Sequence, residues 1–245
     1  MLDLARAYED TQRSVAEFVR GLSEEQRQMK VPASPSWSVQ DVVAHVAGLA
    51  GDVAYDRAPP ELDVVRSLTD SAQAALRDEM TEKQVVSRRG RSLDEILDEW
   101  TKALADLIPM IHGERPFPRS APFIDAALVT DLATHNQDIR NGVGVPGDRD
   151  SEGVSVAFVG YSAAFALRVA QNGLPALRLK YDGKERIAGQ GEPRATLTAD
   201  RYELYRALAG RRSRDQILQL NWDGDPEPYA DLMPAYGPRT DPLEE

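Results

Sequence analysis

Two of the three histidines in this 245-residue chain stand at positions where a helix is expected to bury apolar side chains. His45 follows Val42 by three residues and precedes Leu49 by four, a spacing that puts all three on one helical face. His135 lies on a similar apolar face, and Asp131 stands four residues before it, one helical turn away. Because a buried imidazole or carboxylate is costly without a partner, the pattern predicts a metal ion held by these three side chains.

The types of these side chains indicate which metal would bind. A catalytic zinc ion commonly has three protein ligands from His, Asp or Glu and keeps a fourth position for water or substrate. The same nitrogen and oxygen donors also suit nickel, manganese or iron. The spacing leaves an alternative open, in which Asp131 only hydrogen-bonds His135 and His45 is a buried histidine bonded to a carbonyl.

The first 143 residues have the apolar periodicity of four long helices. The four predicted helices are residues 3–20, Ser38 to before Pro59, Ser92 to Ile108, and about 121–141. A further helix is predicted over 61–79. Ser38 with Asp41 and Ser92 with Glu95 resemble capping boxes that begin the second and third helices. Pro109 is expected to end the third helix. Four such helices suit an antiparallel bundle, in which sites form between facing helices.

Beyond a loop at 145–151 the pattern becomes that of a smaller α+β domain. A helix over about 152–171 is followed by alternating runs at 177–181 and 195–198, with the turn signal Asp182-Gly183 between them. Short helices over 200–209 and 213–220 come next. The last 20 residues contain five prolines, so a tail that wraps the surface or is disordered is expected. The predicted class is α+β, with domains of residues 1–150 and 151–245.

The composition bounds the kind of protein and its partners. Hydrophobic residues make up 42% and charged residues 28%, as in an ordinary globular protein. The absence of cysteine excludes disulfides, thiolate ligands and a cysteine nucleophile, so any thiol must come from outside the chain. The formal charge of −11 argues against nucleic acid or an anionic membrane as a partner. With no apolar run of roughly 18 residues and no signal peptide recognised, a cytoplasmic location is expected.

Other side chains are weaker candidates for function. Asp138, one turn beyond the second histidine, is placed to accept a hydrogen bond from an imidazole or to be a solvated ion-pair partner. Arg211 and Arg212 belong to a basic cluster able to bind a carboxylate, although clustered surface arginines commonly lack such a role. Gly48 allows the close approach of a partner helix or a ligand. His112 is expected in an exposed loop.

Three segments resemble parts of one known family. Residues 37–45, Trp-Ser-Val-Gln-Asp-Val-Val-Ala-His, resemble the start of the second helix in the mycothiol-dependent maleylpyruvate isomerase family, a branch of the DinB-like metal-binding bundles. Residues 131–140, Asp-Leu-Ala-Thr-His-Asn-Gln-Asp-Ile-Arg, resemble its second metal motif, in which an acidic residue precedes a histidine by four. Residues 195–213 resemble the family's smaller C-terminal domain, so the likeness spans nearly the whole chain.

The resemblance implies a fold and a set of site residues. The fold is a DinB-like antiparallel four-helix bundle followed by a small α+β domain. The divalent metal, usually zinc, is held by His45, Asp131 and His135, where the best-known members carry Glu in place of Asp131. An arginine of the C-terminal domain handles the acidic substrate, with Arg211 or Arg212 as the candidate.

The function implied is that of a metal-dependent enzyme that activates mycothiol or a similar small thiol as a metal-bound thiolate. Addition of this thiolate to a double bond of a small electrophile, followed by its elimination, gives maleylpyruvate-type isomerisation, whereas displacement or simple addition gives S-transfer. The partners are then a small thiol and a small electrophile, and the chain is expected to be a monomer or a small homo-oligomer. Two alternatives stay open, a non-catalytic binding module with a structural metal and a metal-dependent hydrolase using bound water.

Overall fold

The computed structural model describes residues 2–63, 66–68, 70–119 and 121–245. The chain divides into two compact units, Met1–Gly153 and Val154–Glu245, and each is described by itself. The predicted α+β class is confirmed, since helices build the first unit and a small sheet lies in the second. The assignment of 1–150 and 151–245 as domains stays a prediction.

Within the described residues, the first unit contains six α-helices and one small hairpin. The helices are α1 (Leu4–Arg20), α2 (Glu24–Gln28), α3 (Val39–Ala54), α4 (Ser71–Val86), α5 (Leu93–Ile111) and α6 (Ile124–Gly142). The hairpin pairs β1 (Lys30–Val31) with β2 (Ser34–Ser38) in antiparallel orientation, and a 3₁₀ turn covers Arg66–Leu68. The four long helices predicted from periodicity correspond to α1, α3, α5 and α6.

The core of the first unit sets which helices are neighbours. Helix α3 packs against α4, α5 and α6, and α1 packs against α5 and α6. Fully buried side chains from the packed faces include Val43 of α3, Trp100 of α5 and Leu132 of α6. As a result, α3 and α6, which carry the three candidate ligands, lie side by side.

Both predicted capping boxes are present. The hydroxyl of Ser38 accepts a hydrogen bond from the Asp41 N–H at 3.1 Å, and the Asp41 carboxylate accepts one from the Ser38 N–H at 2.9 Å. Ser92 and Glu95 make the same reciprocal pair at the start of α5. Because the box fixes the first turn of α3, it also fixes the rotation that turns His45, two turns later, into the bundle.

The further helix predicted over 61–79 is wrong in position; of its residues, 64, 65 and 69 lie outside the described part of the chain. Helix α4 instead runs from Ser71 to Val86. Its N-cap is Asp70, whose carboxylate accepts hydrogen bonds from the backbone N–H groups of Ala72 and Gln73. The Asp70 cap begins the helix later than predicted, and Gln84 therefore lies in its last turn.

Two other helix ends differ from expectation. Helix α5 continues through Pro109 to Ile111, because proline in the last turns removes only one helical hydrogen bond and the bundle holds the helix. Helix α6 begins at Ile124 rather than near 121, after Phe123 with a left-handed φ of 58°. Gly142 is the last residue of α6.

The second unit combines a four-stranded sheet with four helices among the residues described. The helices are α7 (Glu152–Gln171), which begins just before the unit boundary, α8 (Arg201–Leu208), α9 (Arg214–Leu218) and α10 (Glu227–Ala230). The strands are β3 (Ala176–Tyr181), β4 (Lys184–Ala188), β5 (Pro193–Thr198) and β6 (Asn221–Asp223). Helix α7 matches the helix predicted over 152–171.

The sheet has the order β4-β3-β5-β6, with four strands where the sequence pattern predicts two. The Asp182-Gly183 turn joins β3 to β4, a strand that the sequence pattern did not reveal. Strand β5 then pairs with β3 in parallel, while β6 adds to β5 in antiparallel orientation. The alternation of exposed and buried positions is weak in β4, which lies at the sheet edge, and this explains the omission.

Of the two alternatives for the last 20 residues, the structure shows an ordered segment packed on the second unit and not a disordered tail. Tyr229, Ala230 and Met233 are buried, and the peptide carbonyls of Leu232 and Met233 accept hydrogen bonds from Arg168 of α7. Prolines can therefore punctuate a packed segment whose apolar residues are covered, and the last 20 residues belong to the fold of the second unit.

One helix in the described part of the chain, Glu152–Gln171, is long and apolar enough to cross a membrane, with a mean hydropathy of 1.5. The expectation that no segment has this property therefore needs correction. The helix is a weak indication, because buried core helices pass the same test and its Val154, Phe158 and Phe165 are buried.

Candidate metal centre

The first candidate ligand, His45, lies in the middle of α3. Val42 and Val46 on the same helix are buried with it, and the His45 side chain is 4% exposed. The capping box at the start of α3 and the apolar face together direct the imidazole away from solvent. An imidazole in this position needs polar partners within the protein.

The other two candidates, Asp131 and His135, lie one turn apart on α6 and face α3. Asp131 Oδ1 is 3.7 Å from His135 Nε2, and Asp131 Oδ2 is 3.6 Å from His45 Nε2. The donor atoms of the three side chains all lie within 4.8 Å of one another. The structure thus brings together the three side chains that the sequence singled out, with the carboxylate facing both imidazoles.

This arrangement passes a geometric test for a divalent ion. Zinc bonds to nitrogen and oxygen are about 2.0–2.1 Å long, so tetrahedral ligand atoms are separated by about 3.3–3.5 Å. The two nitrogen–oxygen separations at the cluster are only slightly longer. Two neutral imidazoles and one carboxylate are also a donor set of catalytic zinc sites. The residues present fit a divalent metal.

The far side of each imidazole faces another polar side chain. His45 Nδ1 is hydrogen-bonded to Gln84 Oε1 at 2.8 Å, and Gln84 Nε2 donates to Asp52 Oδ2 at 2.7 Å. His135 Nδ1 lies 3.3 Å from Asp138 Oδ2. The side chain of Asp138 is fully buried, which excludes the solvated ion pair considered for it, and its role in orienting the imidazole stays a prediction.

Aromatic rings enclose one side of the cluster. The ring centroid of Trp37 is 5.1 Å from that of His45 and 6.5 Å from that of His135, and the two imidazoles meet edge to face at 4.9 Å. The Trp37 indole is held by its N–H, which donates to Glu82 at 3.1 Å. The side chain of Asp131, in contrast, is 32% exposed, although its Oδ2, which faces His45, is buried.

Tyr8 of α1 has a raised pKa, to which burial and the negative charge of Asp131 contribute. Burial raises the pKa of its phenol well above the ordinary value, the hydrogen bond from the Trp100 indole lowers it, and the negative charge of Asp131 raises it further. Tyr8 therefore stays a neutral hydroxyl and is unsuited to act as a base.

The predicted arginines lie in the second unit. Arg212 is buried and donates to both oxygens of Glu203 and to Glu245. Burial lowers the pKa of Arg212, but the hydrogen bonds and charges of these carboxylates raise it more, so it stays above its ordinary value. Arg211 is half-buried, and its Nη1 donates to the Ala209 carbonyl at 2.7 Å. Two carboxylates of the chain itself thus bind Arg212.

The third histidine takes no part in the cluster. His112 caps α5, its side chain is 59% exposed, and its Nδ1 lies 2.8 Å from Glu114. The hydrogen bond with this carboxylate is the main cause that raises the pKa of His112. His112 is therefore a suitable control position for variants of His45 and His135.

Sequence reasoning missed Gln84, Asp52 and Trp37. The misplaced α4 left Gln84 outside any predicted helix, so its approach to α3 was not foreseen. One signal was present: Gly48 lies one turn from His45, and a Cβ there would come within 2.8 Å of the Gln84 Cβ. A glycine in mid-helix indicated the close approach, and the neighbour proves to be α4.

The bundle and its cluster define the class to which the first unit belongs, namely helical bundles that bring two histidines and a carboxylate together between facing helices. The family follows from the sequence. Residues 8–140 match the family described as Mycothiol maleylpyruvate isomerase N-terminal domain, and the chain belongs to this family.

Two crystal structures share the fold. A histidine-to-alanine mutant of the mycothiol-dependent maleylpyruvate isomerase matches with a TM-score of 0.56 and 11% identity, covering 84% of this chain and 88% of that chain. The mycothiol-dependent maleylpyruvate isomerase matches with a TM-score of 0.53 and 14% identity, covering 86% and 88%. At these identities the likeness is one of fold. A search of curated proteins found no match.

Proposed function

We propose that the chain is a metal-dependent enzyme that uses a low-molecular-weight thiol, with His45, Asp131 and His135 as the metal ligands. The observation that carries the proposal is the convergence of one carboxylate and two imidazole nitrogens, all within 4.8 Å, between α3 and α6. In the alternative, Asp131 only hydrogen-bonds His135 and His45 bonds a carbonyl, a part that the amide oxygen of Gln84 could fill. That alternative does not explain why Nε2 of His45 also faces the Asp131 carboxylate, at 3.6 Å.

The residues of the chain have separate tasks in this proposal. The two buried imidazoles and Asp131 hold the ion, for which zinc is the first choice and nickel, manganese or iron are others. Such an ion lowers the pKa of a thiol bound to it and so supplies a thiolate at neutral pH. Trp37 excludes water on one side of the cluster, and the exposed edge of Asp131 leaves an approach for the thiol on the other.

The thiol and the substrate are proposed from the family. Mycothiol or a similar thiol is the cofactor, and a small acidic electrophile of the maleylpyruvate type is the substrate, converted by isomerisation or S-transfer. The chain has no cysteine of its own, which fits a thiol supplied from outside. A cytoplasmic location is part of the proposal, because thiols are kept reduced there.

One arginine of the second unit is proposed to bind the substrate carboxylate. The candidates remain Arg211 and Arg212, and because Arg212 already binds Glu203 and Glu245, the first variant to test is at Arg211. Bidentate binding of a carboxylate is the chemistry to which a guanidinium is suited.

The test uses the full chain loaded in turn with zinc, nickel, manganese or iron and incubated with mycothiol and maleylpyruvate. We expect turnover in the wild type and in His112→Ala, and its loss in His135→Ala while the circular dichroism spectrum is unchanged. Isomerisation leaves the thiol concentration constant, whereas S-transfer consumes thiol in proportion to product. Absence of turnover with each of the four metals, or full turnover in His135→Ala, would contradict the proposal.

A further inference from the structure

Gln84 connects the cluster to a helix that carries none of its three candidate ligands. Its side-chain oxygen lies 2.8 Å from His45 Nδ1, and its side-chain nitrogen donates to Asp52 at 2.7 Å. We call His45, Gln84 and Asp52 the Gln84 hydrogen-bond chain. Gln84 is 3% exposed, so water does not compete for its amide.

The direction of these bonds follows from Asp52. A carboxylate accepts hydrogen bonds and does not donate them, so the NH₂ group of Gln84 must face Asp52. The amide oxygen of Gln84 must then face His45, and an oxygen only accepts. The proton of the neutral His45 ring is therefore on Nδ1, and Nε2 carries a lone pair.

That lone pair is directed at the cluster. His45 Nε2 lies 3.6 Å from Asp131 Oδ2, so two electron-rich atoms face each other in a site that is largely buried. Such a pair is unfavourable by itself and becomes favourable with a cation between the two atoms. The Gln84 hydrogen-bond chain thus puts His45 in the form that a metal requires.

The packing of α4 keeps Gln84 in place. Gly48 of α3 has no side chain, and a Cβ there would lie 2.8 Å from both Gln84 Cβ and Arg88 Nη1. Arg88 donates through Nη1 to the Gln84 carbonyl and through Nη2 to Glu99 of α5. The end of α4 is therefore held against both α3 and α5, with Gln84 directed at His45.

We infer that Gln84 and Asp52 are positioning residues that fix the tautomer and orientation of His45 for metal binding. The inference rests on the proposed metal site and adds α4 to it. Outer hydrogen bonds of this kind change metal affinity by about 10- to 100-fold in characterised sites.

The first experiment needs no metal. Nitrogen-15 NMR of the histidine rings in the metal-free full chain separates the two tautomers, and His112→Ala and His135→Ala identify the His45 signals. We expect the neutral His45 ring of the wild type to carry its proton on Nδ1. We expect Gln84→Met, close in volume, and Asp52→Ala, which frees the amide to turn, to lose this preference. A neutral wild-type His45 ring with its proton on Nε2 would overturn the inference.

The second experiment measures zinc affinity by competition with a chelator. Gln84→Met is expected to bind zinc about 10- to 100-fold more weakly than the wild type. Gln84→Glu alone places the new carboxylate against that of Asp52. In the double variant, Gln84→Glu with Asp52→Asn, the new carboxylate at position 84 accepts from His45 and the new amide at position 52 donates to that carboxylate. The double variant is therefore expected to recover most of the affinity, which a loss of packing alone would not allow.

The results separate this inference from the proposed function. If the wild type binds zinc and both Gln84→Met and the double variant bind it equally well, the inference is wrong and the metal site stands. If the wild type binds none of the four metals, both are wrong. If Gln84→Met does not fold, the zinc affinity of the double variant and the tautomer of wild-type His45 still test the inference.

Discussion

Nε2 of His45 lies 3.6 Å from Oδ2 of Asp131, across the contact between α3 and α6. The same carboxylate places its other oxygen 3.7 Å from Nε2 of His135. Asp131 is thus the centre of the cluster, although it is the most exposed of the three side chains and the shortest.

The first prediction concerns the charge and length of this carboxylate. Asp131→Asn keeps the shape but removes the negative charge, so we expect zinc affinity to fall by more than about 100-fold, beyond the effect of an outer-shell change. Asp131→Glu keeps the charge and adds one methylene, so we expect it to retain binding. Both are measured by chelator competition, and wild-type affinity in Asp131→Asn would exclude Asp131 as a ligand.

The second prediction compares two glycines of α3. A Cβ at Gly48 would meet Gln84 and Arg88 at 2.8 Å, so Gly48→Ala is expected to lower the free energy of unfolding by about 1–3 kcal/mol. A Cβ at Gly51 would meet only Arg57 Nη1, at 3.9 Å, so Gly51→Ala is expected to be stabilising by about 0.5–1 kcal/mol. Urea unfolding checks both.

The glycine pair also reports on the site. Gly48→Ala moves α4 away from His45 and is expected to weaken zinc binding, while Gly51→Ala leaves it unchanged. Equal stability and equal zinc affinity in the two variants would show that the approach of α4 to α3 is less close than described.

The third prediction concerns a buried ion pair in the second unit. The side chains of Arg206 and Glu245 are 0% and 3% exposed, although the main chain of Glu245 is open to solvent, and Arg212 binds the same carboxylate. Glu245→Gln leaves Arg206 and Arg212 without this negative charge, so the free energy of unfolding is expected to fall by about 3–5 kcal/mol. Glu244→Gln, at an exposed position, is the control.

Low pH is expected to remove the stabilisation that the Glu245 carboxylate provides. Burial raises the pKa of Glu245, but the hydrogen bonds and charges of Arg206 and Arg212 lower it more, so it lies below the ordinary value of 4.5. A lowered pKa stabilises the folded state above pH 4.5, and this contribution is lost as the pH falls through the folded-state pKa. The difference in unfolding free energy between wild type and Glu245→Gln should therefore be constant near neutral pH and shrink below pH 4.5. A difference independent of pH would refute the assignment.

The fourth prediction separates the two adjacent arginines. Arg212→Ala leaves Glu203 and Glu245 without their common partner and is expected to lower stability. Arg211→Ala is expected to raise KM for the acidic substrate about 10- to 100-fold, the effect of losing a hydrogen bond to a charged group, with a smaller change in stability. An unchanged KM in Arg211→Ala would remove it as the substrate contact.

Local sequence signals predicted much of the first unit. The Ser38–Asp41 and Ser92–Glu95 boxes mark the starts of α3 and α5, and both are present because a capping box depends on only four consecutive residues. The spacing of Asp131 and His135 is likewise local, and it suffices to place both side chains on the same face of α6.

The features that sequence reasoning did not predict depend on contacts between distant segments. Gln84 is 39 residues from His45, and their hydrogen bond requires α4 to pack at Gly48. The parallel pairing of β3 with β5 and the buried contact of Arg206 with Glu245 are also non-local. Their residues carry no periodic pattern that distinguishes a partner from a solvent-exposed side chain.

Zinc stoichiometry tests the central claim most directly. The full chain is purified, loaded with zinc, dialysed against a weak chelator and measured by elemental mass spectrometry, beside His45→Ala, His135→Ala and His112→Ala. We expect one tightly held ion per chain in the wild type and in His112→Ala, and its loss in the other two variants while their helical content persists. A wild type that retains no ion after loading with zinc, nickel, manganese or iron, or variants at positions 45 and 135 that retain it, would show that these side chains do not form a metal site.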